Sequence, residues 1–100
     1  MNTESLSHKP RFYVYILFSK RDAGLYIGFT ADLKVRLKQH SQEQVSSTKN
    51  RTPLKLTHYE YYLDKKDAQA REKYLKSGYG RRQIENFLQH TPDYYRPSLL

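Results

Sequence analysis

Residues Arg11–Phe29 read RFYVYILFSKRDAGLYIGF, and their alternation decides the fold. Arg11–Ser19 is rich in aromatic and β-branched residues, Lys20–Gly24 (KRDAG) is a turn, and Leu25–Phe29 returns as a second strand. That pattern predicts a β-hairpin. Side chains on a strand point alternately to its two faces. One parity gathers Phe12, Val14, Ile16, Phe18, Leu25, Ile27 and Phe29 on a single side, which makes that side the core face. Tyr15 and Tyr26 then share the opposite face. Gly28 stands beside them and leaves open a place that a side chain would fill.

Outward from the hairpin, Thr30 or Asp32 can cap a helix running to about His40. Leu33 and Leu37 form its inner stripe, and Arg36 and His40, also four apart, project together beside it. Ser41–Pro53 is polar and reads as a loop, and Leu54–Leu63 (LKLTHYEYYL) as a third strand. Asp64 caps a second helix over Lys65–Ser77, which Gly78 ends. Ala68, Arg71 or Glu72, and Leu75 face inward on it, with Glu72 flanking the apolar stripe. Gly78–Arg82 (GYGRR) reads as a basic turn before a third helix to about Gln89, which carries Ile84, Phe87 and Leu88 at helical spacing. The order β-β-α-β-α-α predicts an α+β domain over residues 11–89, a three-stranded antiparallel sheet flanked by helices. A loose start, Met1–Pro10, and an irregular tail, His90–Leu100 with Pro92 and Pro97, flank it.

A chain of 100 residues has room for one core and no second domain. The absence of cysteine excludes a disulfide scaffold and any thiolate metal site. No apolar run approaches the roughly 20 residues needed to span a bilayer, and the polar start does not resemble a signal peptide, so the expected location is cytoplasmic.

Lys and Arg outnumber Asp and Glu by 18 to 10, a net charge of +8 that suits nucleic acid, an anionic membrane or an acidic protein as partner. The surplus lies in segments with the look of folded structure. Val45–His58 holds Lys49, Arg51 and Lys55 and no acid, while Lys65–Arg82 adds Arg71, Lys73, Lys76, Arg81 and Arg82 against only Asp67 and Glu72. Neither segment reads as a lipid-binding amphipathic helix, and nucleic acid is the favoured partner. Ten tyrosines add a second peculiarity. They have two readings: packing in a tyrosine-rich sheet, or a surface where rings and hydroxyls meet bases and phosphates.

Most catalytic signatures are missing: there is no P-loop, no GxGxxG, no HxxxH and no GxSxG. What remains is the set Tyr15, Tyr26, Arg36, His40 and Glu72. The guanidinium fork of Arg36 can bind a phosphate, and His40 or a tyrosine can accept or relay a proton. Glu72 can hold a magnesium ion that keeps most of its waters and also binds phosphate. Singly, each has a structural explanation: a strand tyrosine packs, Arg36 and His40 mark a solvated helix face, and Glu72 pairs with a neighbouring base. Their combination points to phosphodiester chemistry.

Tyr13-Val14-Tyr15, followed after ten residues by Tyr26-Ile27-Gly28, resembles the paired motif of the GIY-YIG nuclease superfamily. Arg36 with His40 on the next helix, and Glu72 on the helix after the third strand, match its later motifs. The likeness extends from about Phe12 to Phe87 and is closest to the small standalone bacterial members, through YVYIL (Tyr13–Leu17), LYIG (Leu25–Gly28), Arg36–His40, STK (Ser47–Lys49) and REKYLKSG (Arg71–Gly78). The resemblance implies an endonuclease that uses Mg2+ or Mn2+ and cuts one strand at a time. In it Glu72 would be the single protein ligand of the ion and Arg36 would hold the scissile phosphate. Tyr15 and Tyr26 would position or deprotonate the attacking water, and His40 would assist. Three positions depart from relatives: Tyr13 replaces the founding glycine, Phe29 replaces a lysine of several repair nucleases, and His40 stands where some carry tyrosine. Asn86 is the candidate for the superfamily's late asparagine.

The expectation is therefore a metal-dependent endonuclease acting on DNA ahead of RNA, held to its substrate by the basic segments around Lys49–Lys55 and Arg71–Arg82, with a protein partner supplying targeting. The alternative is a non-catalytic nucleic-acid-binding module on the same fold. An adaptor for an acidic protein explains the charge but not the five-residue set.

Overall fold

The computed structural model describes residues 11–92. The expected loose start (1–10) and most of the expected tail (93–100) lie outside the described residues. Among these residues, three strands, β1 (Phe12–Ser19), β2 (Leu25–Thr30) and β3 (Leu54–Tyr62), and three helices, α1 (Leu33–Ser41), α2 (Lys65–Leu75) and α3 (Gly78–Phe87), follow in the expected order β-β-α-β-α-α. The strands form one antiparallel sheet in the order β2-β1-β3.

The hairpin has the register that its hydrophobic parity demands. Val14 stands opposite Phe29, Ile16 opposite Ile27 and Phe18 opposite Leu25. Val14, Ile16 and Ile27 pack with Ala68 and Leu75 of α2, and with Ile84 and Leu88 at the end of α3, to form the core. The rings of Phe12 and Phe29 stack at its margin, their centroids 6.2 Å apart. On the other face Tyr15 stands opposite Gly28, and there α1 covers the sheet. The molecule thus has three layers: α1, the sheet, then α2 with α3. No helix among the described residues is long and apolar enough to cross a membrane.

Strand β3 is not uniform. Its pairing with β1 slips between Ile16 and Leu17, so that His58 opposes Ile16 while Leu56 opposes Leu17. Thr57 is the extra residue of this bulge, and its hydroxyl donates to the Ile16 carbonyl at 3.2 Å.

Two expectations about the helices need correction. Gly78 does not end α2, which stops at Leu75 and is capped by Lys76 in right-handed helical geometry. Gly78 is instead the first residue of α3, so Gly78–Arg82 is helical rather than a turn. The reason is Ser77, whose hydroxyl accepts from the Gly80 amide at 3.2 Å and so serves as the N-cap of the next helix. Gly80 is the glycine this elbow requires. A Cβ there would run into the carbonyl of Tyr74 and the Cα of Leu75, both backbone.

Candidate active site

Asp32 begins α1, its carboxylate accepting from the Val35 amide at 3.1 Å. The helix then crosses the sheet face that bears Tyr15 and Tyr26. Leu33 and Leu37 are only half-buried there, and the fully buried residue of α1 is His40. A polar ring can be buried at this position because both its nitrogens have partners. His40 Nε2 lies 2.7 Å from the Tyr15 hydroxyl, and Nδ1 lies 2.7 Å from Thr48 Oγ1. Tyr15 and Thr48 are themselves fully buried. The result is a closed chain, Tyr15–His40–Thr48, under α1.

Burial sets the protonation of this chain. It pushes Tyr15 up to about 12, against the lowering influence of Arg36. It pulls His40 down to about 4, helped by the positive charge of Arg36. At neutral pH both groups are therefore uncharged. A neutral imidazole has one donor and one acceptor, so the chain can run in either direction. Tyr15 donates to Nε2 while Nδ1–H donates to Thr48, or Thr48 donates to Nδ1 while Nε2–H donates to the Tyr15 oxygen. Each arrangement gives both ring nitrogens of His40 a partner.

The open side of the site carries Tyr26 and Arg36, both half-buried. The Tyr26 ring meets the His40 ring edge-on with centroids 5.1 Å apart, and the Tyr15 ring at 6.2 Å. Arg36 Nη1 donates to Gln39 Oε1 at 3.1 Å. Gly28 makes the packing possible, because a Cβ at that position would overlap the Tyr15 ring and hydroxyl.

Four of the five residues singled out in the sequence, Tyr15, Tyr26, Arg36 and His40, thus converge. Glu72 belongs to α2, which is rooted in the opposite layer. It is half-buried and accepts from Lys76 Nζ at 3.1 Å, and among the described residues no hydrogen bond joins it to the other four. Nor do three or more His, Asp or Glu side chains group into a cage for a metal among the described residues. A lone half-buried carboxylate nevertheless suits magnesium, which keeps several waters and shares its remaining positions with substrate phosphate.

The basic residues separate into two kinds. Arg51 is tied to Asp22 at 2.6 Å and reaches the Leu25 carbonyl, stapling the loop after α1 to the β1–β2 turn. Arg71 makes a two-pronged bond to Glu60 at 2.9 and 3.1 Å. Lys76 pairs with Glu72. Lys49, Lys55, Lys73, Arg81 and Arg82 are exposed, the last with its guanidinium over the Tyr79 ring. Asn86 is exposed at the end of α3.

Two residues of these polar clusters had no assigned role in the sequence. Thr48 lies in a polar loop without periodicity. Its signals were the STK segment of the family likeness and Val45, an isolated aliphatic residue one turn earlier, which is buried and whose carbonyl accepts from the Thr48 amide. Glu60, on the core face of β3, accepts from Tyr62, His58 and Arg71. An acid within an otherwise aromatic strand was its one signal.

A family model of the GIY-YIG catalytic domain matches residues 11–86, nearly the whole described chain. The chain belongs to the GIY-YIG family. Among relatives of this GIY-YIG domain, a UPF0213 protein of Clostridium perfringens is 43% identical over 65 residues, covering 64% of this chain and 69% of its own. A UPF0213 protein of Haloquadratum walsbyi is 34% identical over 86 residues, covering 85% and 94%. The solution structure of a UPF0213 protein from Bacillus halodurans superposes with a TM-score of 0.50 at 29% identity, covering 83% of this chain and 87% of that one. Membership in the GIY-YIG family implies a nuclease-type catalytic domain.

Proposed function

We propose that this GIY-YIG protein is a divalent-metal-dependent endonuclease that hydrolyses phosphodiester bonds in nucleic acid, DNA ahead of RNA. The observation that carries the reading is the convergence of Tyr26 and Arg36 over the buried Tyr15–His40–Thr48 chain.

Tyr15 is fully buried, so contact with substrate and water falls to Tyr26 and Arg36. Arg36 binds the scissile phosphate with its planar donors and offsets the charge that grows on it during attack. Tyr26 holds the attacking water by its hydroxyl. Tyr15, His40 and Thr48 are positioning residues: they fix the ring against which Tyr26 packs, and either tautomer of His40 keeps the chain uncharged. Glu72 holds the Mg2+ or Mn2+, an assignment supported by its carboxylate chemistry and its place in the family motif. When bound, such an ion neutralises phosphate charge and assists the departing oxygen.

The test compares wild type with Glu72→Gln on labelled single-stranded, duplex and branched DNA and RNA, with metal and with chelator. Cleavage by wild type alone, and only with metal, is the expected result. Metal-dependent cleavage that survives in Glu72→Gln would remove the ligand assignment. Salt-sensitive binding by both proteins, with no cleavage of any substrate, would leave a binding module instead.

A further inference from the structure

The tyrosine surplus is only partly used by the site described above. Tyr59 and Tyr61 of β3 are 53% and 57% exposed, although they share the sheet face of buried Tyr15. By register Tyr59 stands opposite Tyr15, and Tyr61 opposite Tyr13. The Tyr13 ring lies 6.2 Å from that of Tyr59 and 6.4 Å from that of Tyr61. These three rings form one wall of a groove of about 590 Å3, whose other wall is the α1 flank carrying Lys34 and Leu37. That volume falls within the roughly 300–1,000 Å3 typical of ligand clefts. Arg11 stands at the groove with its guanidinium 5.3 Å from the Tyr61 ring centre. The one acid among the described residues of the lining, Asp32, is engaged in capping α1.

We propose that this groove is a docking site for an unpaired nucleic-acid strand, its bases stacking on Tyr59 and Tyr61 and its phosphates meeting Arg11 and Lys34. Several observations converge on that occupant. Exposed rings grouped on an edge strand mark a binding surface. Their cationic neighbours, on a chain of net charge +8, select a polyanion. Residues two apart on a strand are about 6.8 Å apart, close to two base steps of rise. A duplex hides its base faces within the stack, so ring stacking requires unpaired bases. The proposal deepens the nuclease reading, on which it rests for its substrate class: it predicts a preference for single strands or for duplexes with an unpaired arm.

The test uses the full chain carrying Glu72→Gln, so that substrate stays intact, and measures anisotropy of a labelled thymidine oligonucleotide and of a labelled duplex. Tyr59→Ala with Tyr61→Ala should weaken single-strand binding by about tenfold or more. Duplex binding should change by less than about twofold, as should single-strand binding by Tyr59→Phe with Tyr61→Phe. Equal losses on both substrates, no loss on either, or no single-strand binding by the parent would overturn the groove assignment. So would a dimer, detected by sedimentation, that the alanine changes dissociate, because a second copy would then be the occupant. Metal-dependent cleavage by wild type with unaltered single-strand binding in the alanine variant removes the groove alone. Tyrosine-dependent single-strand binding without cleavage by wild type removes the nuclease reading alone.

Discussion

On the α2–α3 side of the sheet, the enclosed polar group is a half-buried carboxylate that stays charged; on the α1 side, a buried phenol and imidazole stay neutral. Burial alone would raise Glu60, but bonds from Arg71, Tyr62 and His58 outweigh it and bring the carboxyl down to about 2. The same burial goes largely unopposed at Tyr15 and His40, which move to about 12 and about 4. What separates the two faces is the character of the partners. Glu60 has a guanidinium and two further donors, whereas His40 has only two hydroxyls. One face therefore holds a fixed ion pair. The other holds a hydrogen-bonded chain that is neutral in either tautomer of His40.

The comparison can be broken most decisively by activity. Arg36→Ala and Tyr26→Phe should each lower single-turnover cleavage by about 100-fold or more. Glu60→Gln, assayed where the protein is folded, should stay within a few-fold of wild type. Comparable losses from both faces would mean that the division is not a functional one. Next in size are the two glycines. Gly80→Ala forces a methyl group against backbone and should cost about 3 kcal/mol or more in urea unfolding, while Gly28→Ala meets the Tyr15 ring and should cost about 1–3 kcal/mol. An equal or larger cost at Gly28 would show that the neutral chain is the stiffer of the two.

Acid sharpens the contrast further. The folded-state pKa of His40 lies below its ordinary value of 6.5, so the unfolded chain binds the extra proton first. Stability is full above that value and is lost as pH falls from about 6.5 towards 4, by up to roughly 3 kcal/mol. The Glu60 contribution is present above its ordinary 4.5 and is lost as pH falls from there towards 2, by a similar amount. Unfolding measured across pH should lose the upper part of this slope in His40→Gln and the lower part in Glu60→Gln. The smallest expected effect is at Thr48. Thr48→Val strands one nitrogen of His40 and should cost about 1–2 kcal/mol, most of it recovered in Thr48→Ser, with cleavage following the same order.

These two faces were not equally legible in the sequence. The hairpin parity was, because seven apolar residues can share a face in only one way, and Tyr15, Tyr26 and Gly28 followed from it. Asp32 and Asp64 were legible as helix caps, since both precede a helical run and can accept from its first amides. Ser77 is not legible as a helix start, because the glycine after it is a stronger signal for stopping a helix than a serine is for starting one. Helical spacing alone sets His40 beside the inner stripe, whereas it is the residue α1 buries most. Nothing in α1 itself announces the two hydroxyls that make that burial tolerable: one comes from β1 and the other from an aperiodic loop. Burial of a polar side chain is decided by its partners, and here the partners are distant in sequence.

The bulge at Thr57 has a consequence of its own. Along β3, strict alternation would set Leu54 and Leu56 in step with His58, Glu60 and Tyr62. The pairing instead puts Leu54 and Leu56 opposite Ser19 and Leu17, on the same side as Tyr59 and Tyr61. Thr57 works as a phase shifter, joining two half-strands whose side-chain rhythms are out of step. Were Thr57 instead to pair regularly with Leu17 while the Tyr59–Tyr61 half kept its place, Lys55 would turn towards Ser19 and α1, and both leucines would go to the face covered by α2 and α3. The aliphatic stretch and the aromatic stretch could then no longer form one continuous wall.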